Sequence, residues 1–296
     1  MASELPPENP VQGEKIAPAP APPRAPGAET PASESQGFNP KGLRVFIELL
    51  LLLALLVFAG VSALRGGGAL AALLTPVVPL SFDRKLGQIA DATLGARDCP
   101  DPSAKKYVEG LAQPLLDAAQ PLAFEMRFRV VDDPAVNAFA LPGGFVVVNS
   151  GLLEAAESGE EIAGVLGHEI QHALLRHGTR RILREMGGSI ALSILFGGSD
   201  LQSYAEVGSR LTGLDYDRAE ESEADREGVA LLVRASIEPA GLARFFERLR
   251  RESLNPPELL STHPDPGNRA AAIRAARLPG AARALPTPEA VRCRND

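Results

Sequence analysis

The sequence predicts an α+β protein, mostly helical with a small sheet, preceded by one transmembrane helix. Three observations predict it. Apolar residues recur at helical spacing over most of the chain beyond residue 100. Two short strand-like runs flank a single Leu-Pro-Gly-Gly turn near the middle. Residues 43–64, LRVFIELLLLLALLVFAGVSAL, have no polar face.

Residues 1–42 hold ten of the 26 Pro and show no apolar periodicity. Such a tail cannot bury enough surface to offset its ordering entropy, so it reads as a disordered, extended spacer. The 22 residues that follow would span roughly 33 Å as a helix, enough for a bilayer core. Lys41 and Arg44 at the start of the run favour an N-terminus in the cytoplasm. A 42-residue lead is too long for the n-region of a cleaved leader, so 43–65 reads as an uncleaved anchor. Residues 66–80, interrupted by Pro76 and Pro79, read as a linker. Residues 81–296 form one domain large enough to bury a good core.

Within that domain, residues 107–119 have helical spacing. Residues 126–130 alternate apolar and polar as a half-buried strand, and 145–149 form a β-branched strand. Residues 158–177 read as a helix. Ser158 and Glu161 suit a capping box at its start, and Gly178 suits a C-terminal glycine. Residues 190–196 are apolar but too short to cross a membrane. Residues 214–234, 241–251 and 268–277 complete the helices.

Composition narrows the function. The 296 residues are 45% hydrophobic and 23% charged, which excludes a wholly disordered chain and a polytopic membrane protein. A net charge of -7, no Trp and few aromatics speak against a nucleic-acid partner. Two Cys exclude a four-Cys metal site. Cys99 and Cys293 lie near the two ends of the domain, which are often close in space, so they are placed to form one bridge in an oxidising compartment.

Three of the four His fall within ten residues: His168-Glu169-Ile170-Gln171-His172 and then His177. Residues four apart on a helix project about 40° from each other, so His168 and His172 can grip one Zn²⁺. Glu169 lies about 100° round from His168. It can reach a metal-activated water without being a ligand, which suits a general base. His177 points to another face and reads as a cation at a helix C-terminus.

A carboxylate is the better third ligand, as in gluzincins, and residues 217–228 offer several. Glu221 and Asp225 share an inward stripe with Gly228 and Leu232, whereas Glu223 and Glu227 face solvent. An acid on an inward stripe must find a partner. Zinc would be one for Glu221, and Asp225 could accept the free N–H of a ligand His. His263, in a Pro-bounded loop, and Arg269, opening a helix, could point into the same cleft. There Arg269 would stabilise an oxyanion.

These residues together resemble zinc metallopeptidase family 48, which includes HtpX-type, CAAX-prenyl-protease-type and mitochondrial Oma-type enzymes. The resemblance is strongest to BepA-like and LoiP-like bacterial periplasmic members. It is carried, in family order, by Asn137-Ala138-Phe139-Ala140-Leu141-Pro142-Gly143-Gly144, by His168-Glu169-Ile170-Gln171-His172, by Glu221-Ser222-Glu223-Ala224-Asp225, and by His263-Pro264 with Arg269.

The resemblance implies a zincin-like (gluzincin) domain with one Zn²⁺ per chain. His168, His172 and Glu221 would be ligands, Glu169 the base and Asp225 the partner of a ligand His. His263 and Arg269 would assist at the metal, and His263 would be able to serve as a resting fourth ligand. Gly143, Gly144, Phe145, Val146 and Val147 would bind substrate, the strand after the turn serving as an edge for β-augmentation. Ser222 departs from the family, where an aromatic is frequent. The lack of several spans argues against HtpX-type and prenyl-protease-type chemistry, and no tetratricopeptide repeat is evident.

The expected function is that of a membrane-anchored zinc endopeptidase. It would be held by one helix in the bacterial inner membrane with its peptidase domain in the periplasm, acting on misfolded envelope polypeptides. The alternative is a catalytically silent, chaperone-like binding module that keeps the fold.

Overall fold

The computed structural model describes residues 40–64, 68–185, 216–252, 258–263, 269–288 and 293. Of the expected spacer over 1–42, residues 1–39 lie outside them and residues 40–42 are helical; the apolar run at 190–196 and residues 264–268 also lie outside them. By compactness the chain divides into two units, 1–50 and 51–296.

Helix α1 (Pro40–Leu64) is 25 residues long. Its side chains from Leu43 to Phe58 include a run of exposed Leu, Val, Ile and Phe. Among the described residues no helix is long and apolar enough to cross a membrane. The expectation of a spanning helix over 43–65 therefore stands on sequence.

After α2 (Gly68–Leu74) and a 3₁₀ turn (Thr75–Val77) come α3 (Leu80–Thr93) and α4 (Pro102–Ala118). Asp101 caps α4 by accepting from the Ser103 N–H at 2.8 Å, and Pro102 stands in its first turn, where its missing N–H costs nothing.

The sheet has three strands: β1 (Arg127–Val131), β2 (Ala138–Leu141) and β3 (Phe145–Asn149). Their order is β1-β3-β2, with β1 parallel and β2 antiparallel to β3. The expected strand over 145–149 is present but central: Phe145–Asn149 pairs with Arg127–Val131 on one side, and Val148–Phe145 with Ala138–Leu141 on the other. Phe145, Val146 and Val147 thus have neighbours on both sides and cannot take an added strand. Gly143 and Gly144 are buried in the 3₁₀ turn between β2 and β3. Gly143 has φ 75°, and a Cβ there would meet the backbone of Asp83 and Arg84.

Both sheet faces are covered, which explains the unbroken Val run of β3. Val146 and Val148 join the main core with α4 and the next helices. Val147 faces a second cluster containing Phe82, Leu86 and Ala90 of α3.

Helices α5 (Ser150–Ala155) and α6 (Gly159–Leu174) follow. Ser158 caps α6 by accepting from the Glu161 N–H, as expected. The Glu161 carboxylate takes the Glu157 N–H rather than closing the box on Ser158. α6 does not run on to Gly178. It ends at Leu174, Arg176 adopts φ 60°, and residues 177–185 are helical again. Arg176 is held in this left-handed turn by its side chain, which donates to Asp83 at 2.5 and 3.0 Å and to the carbonyls of Thr75 and Val78.

The remaining helices are α7 (Arg218–Arg234), α8 (Ala240–Glu252), α9 (Glu258–Thr262) and α10 (Arg269–Ala275). Asp217 and Glu220 form a full capping box on α7. α7 lies close along α6: a Cβ on Gly228 would stand 3.3 Å from the backbone of Gly167 and His168. Cys99 and Cys293 are bridged, with Cα atoms 4.9 Å apart.

Candidate metal centre

α6 carries His168, Glu169 and His172; α7 carries Glu221 and Asp225; His263 follows α9, and Arg269 opens α10. All seven are buried. Four elements distant in sequence therefore meet at one point, and the close contact at Gly228 is what lets Glu221 reach the His pair.

Among the described residues, His168, His172, Glu221 and His263 form a cluster whose donor atoms all lie within 4.8 Å of one another. His168 Nε2 is 2.9 Å from His172 Nε2 and 3.3 Å from His263 Nδ1. Glu221 Oε1 is 3.4 Å from His172 Nε2 and 3.0 Å from His263 Nδ1; its Oε2 is 3.4 Å from His168 Nε2. Four donors on a tetrahedral zinc at about 2.0–2.2 Å would be separated by roughly 3.3–3.6 Å. The contacts given above, 2.9–3.4 Å, are near those separations, and imidazole and carboxylate are donors that zinc takes.

The electrostatics also favour a cation. Burial alone would lower the pKa of His168, but Asp225 and Glu221 hold it up to about 10. Burial also works to raise Glu221, yet His263, His168 and His172 bring it far below the usual carboxylate range. His172 is driven well below the ordinary histidine value by burial and by the His168 charge. A site that keeps positive charge on one buried imidazole suits a divalent ion at the same place.

Behind the cluster, Asp225 Oδ1 is 3.0 Å from His168 Nδ1. Arg269 ties the acidic pair together. Its Nε donates to Asp225 Oδ2 at 2.6 Å, its Nη2 to Glu221 Oε2, and its Nη1 to the carbonyl of His263 at 3.1 Å. The guanidinium thus meets the cluster through Glu221, a different position from the oxyanion donor expected from sequence.

Glu169 has no exposure, and neither carboxylate oxygen makes a hydrogen bond. Burial raises its pKa, opposed by the nearby His263 and His168 and least by the Ala140 amide, which approaches the carboxylate without completing a hydrogen bond. His263 Nε2 lies 3.5 Å from Glu169 Oε1. A buried carboxyl so poorly satisfied is costly, and such groups mark working sites.

Two features escape sequence reasoning. Tyr216 stacks on His172, with ring centroids 3.8 Å apart and planes at 22°, and donates its hydroxyl to the Ala140 carbonyl at 3.1 Å. A lone Tyr in a polar stretch carries no sign of this. His177 is buried rather than a surface cation: burial and the adjacent Arg180 bring its pKa down to about 4. It faces Glu223, expected at the surface but placed 3.2 Å from His177 Nε2.

A mostly helical α+β fold with a buried cluster of three His and one Glu, flanked by an unsatisfied carboxyl, defines a site of the metallopeptidase kind. The chain belongs to peptidase family M48, whose family model matches residues 102–277, more than half of its length. It is 34% identical over 184 residues to a putative beta-barrel assembly-enhancing protease of Vibrio cholerae, covering 57% of this chain and 38% of that one. It is 31% identical over 189 residues to the beta-barrel assembly-enhancing protease of Escherichia coli, covering 59% and 39%. It is likewise 31% identical over 208 residues to the mitochondrial metalloendopeptidase OMA1 of Bos taurus, covering 64% and 40%. The chain spans about two fifths of the length of these curated relatives.

Proposed function

We propose that the protein is a zinc-dependent endopeptidase, anchored in the bacterial inner membrane by one helix, that hydrolyses misfolded envelope polypeptides in the periplasm. The observation that carries the reading is the buried grouping of His168, His172, Glu221 and His263 beside the unbonded Glu169 carboxyl.

His168, His172 and Glu221 would hold the metal, with His263 as a fourth donor at rest. Zinc, when bound, supplies a Lewis acid for the scissile carbonyl and lowers the pKa of water. Glu169 takes a proton from the attacking water and returns it to the leaving amine, for which its raised pKa suits it. Asp225 orients His168, and Arg269 holds Glu221 and Asp225 in place. Substrate would pair with β2 rather than with central β3 or the other edge, β1, because Ala140 of β2 lies against Glu169, the Tyr216 hydroxyl then giving up the Ala140 carbonyl.

The anchor rests on the apolar run over 43–65 and on the exposed Leu, Val and Phe side chains of α1. Periplasmic placement draws support from the Cys99–Cys293 bridge, which needs an oxidising compartment, and from the basic residues ahead of the run. The envelope substrates are inferred from the relatives named as beta-barrel assembly-enhancing proteases.

Metal analysis together with casein cleavage tests the reading. Wild-type protein should hold about one zinc per chain and cut casein, and His172→Ala should lose both. Full occupancy without cleavage would instead support the chaperone-like binding module.

A further inference from the structure

His172 is held on three sides. Its Nε2 faces Glu221 and His168, and one face of its ring lies on Tyr216. Its Nδ1 is 2.9 Å from Nδ1 of His177. His177 is fully buried, and its Nε2 lies 3.2 Å from Glu223 Oε2, which also accepts from Arg180 at 3.2 Å. The row runs His172, His177, Glu223, from the cluster to the edge of the domain.

Two ring nitrogens at this distance share one proton. Two would collide, and none would set lone pair against lone pair. The ends of the row decide which ring owns it. A His172 that gives its Nε2 lone pair to a cation keeps its own proton on Nδ1. His177 then accepts at a bare Nδ1, carries its proton on Nε2 and donates to the Glu223 carboxylate.

We propose that His177 is a positioning residue for zinc binding: it fixes the tautomer and ring angle of His172, and Glu223 fixes those of His177. This rests on the zinc reading above. The two ligand histidines of α6 are thus served differently, His168 by a carboxylate and His172 by an imidazole backed by a carboxylate. The backbone is shaped to deliver the second arrangement. His177 follows Arg176, whose left-handed φ of 60° ends α6 and brings the chain back beside His172. A non-glycine residue in that region is costly unless its surroundings impose it. Here they do, through the bonds from the Arg176 guanidinium to Asp83, Thr75 and Val78.

The test uses the full chain in detergent, with zinc affinity measured by competition against a chelator. The histidine tautomers of the zinc-loaded protein are read from ¹⁵N spectra. His177→Leu should weaken zinc binding by about 10–100-fold. His177→Asn offers an Oδ1 acceptor near the place of Nδ1 and should recover affinity to within about threefold of wild type. Glu223→Ala, which changes a partly exposed residue, should weaken zinc by about 3–10-fold even if His177→Leu fails to fold. His177 itself should carry its proton on Nε2.

Unchanged affinity in a folded His177→Leu overturns the proposal, as does a proton on His177 Nδ1 in the loaded protein. His177→Asn no better than His177→Leu would reduce the residue to packing and also overturn it. A wild-type chain that takes up no zinc sinks the functional reading itself. A zinc-binding chain indifferent to His177 and Glu223 sinks only this inference.

Discussion

Nε of Arg269 donates to Oδ2 of Asp225 at 2.6 Å, deep enough that the arginine is almost fully buried. The same guanidinium donates to Glu221, so two carboxylates on successive turns of α7 share one cation. Removing that cation leaves two buried acids facing each other. Breaking a buried charge network by deleting one partner costs about 3–5 kcal/mol. Arg269→Met should therefore lower stability by that order in urea unfolding of the metal-stripped protein. A loss under about 1 kcal/mol would reject the clamp.

Glu169 leads to the opposite expectation for stability. Its carboxyl is buried without a hydrogen bond, so a neutral amide of the same shape is cheaper to bury. Glu169→Gln should unfold no earlier than wild type and keep its metal, while peptidase activity falls by about 10² or more. Near-normal turnover in a clean preparation would remove Glu169 as the base.

The bridge between Cys99 and Cys293 closes a loop with a sequence separation of 194. The chain-entropy model assigns a loop of that length at most about 5 kcal/mol. Cys99→Ser should lower the urea midpoint without changing zinc content, since neither cysteine belongs to the metal cluster. Non-reducing mass mapping of protein from unreduced cells should recover the linked peptide. Two freely alkylated thiols would remove this support for periplasmic placement.

Tyr107 provides a pH test far from the metal. Burial, helped by the charge of Glu160, raises its pKa from about 10 to about 12, and its hydroxyl donates to the Pro286 carbonyl at 2.9 Å. A folded-state value above the unfolded one means that the contribution is fully present below pH 10. It is lost as pH rises through 12. Wild type should lose stability relative to Tyr107→Phe across that window. The loss should be well under the roughly 1.4 kcal/mol per unit of a fully buried group, because the ring is partly exposed. Parallel curves for the two proteins from pH 9 to 12 would contradict it.

Much of the site was legible because helical geometry is local. A spacing of four puts His168 and His172 on one face whatever surrounds them, and the same arithmetic separates Glu221 and Asp225 from Glu223. Helices α4, α7 and α8 could be read from apolar periodicity and caps for the same reason. The helix end was misread because Gly178 has the right type and position for a terminator. The chain turns two residues earlier, at Arg176, whose left-handed backbone is imposed by Asp83, 93 positions away.

By itself the sequence determined the metal-binding helix, the inward acidic stripe of α7, the strands as local runs, and the family resemblance that orders the motifs. Each depends on spacing along a few turns or on residue type. Only the tertiary structure decided the order of the strands, which puts β3 in the centre and leaves β2 at the edge beside Glu169. It alone brought Tyr216 onto His172, His177 and Glu223 behind it, and Arg269 between two carboxylates. The physical reason is that strand pairing and side-chain contacts between distant elements are chosen by which apolar faces bury together. No residue's neighbours in sequence record that choice.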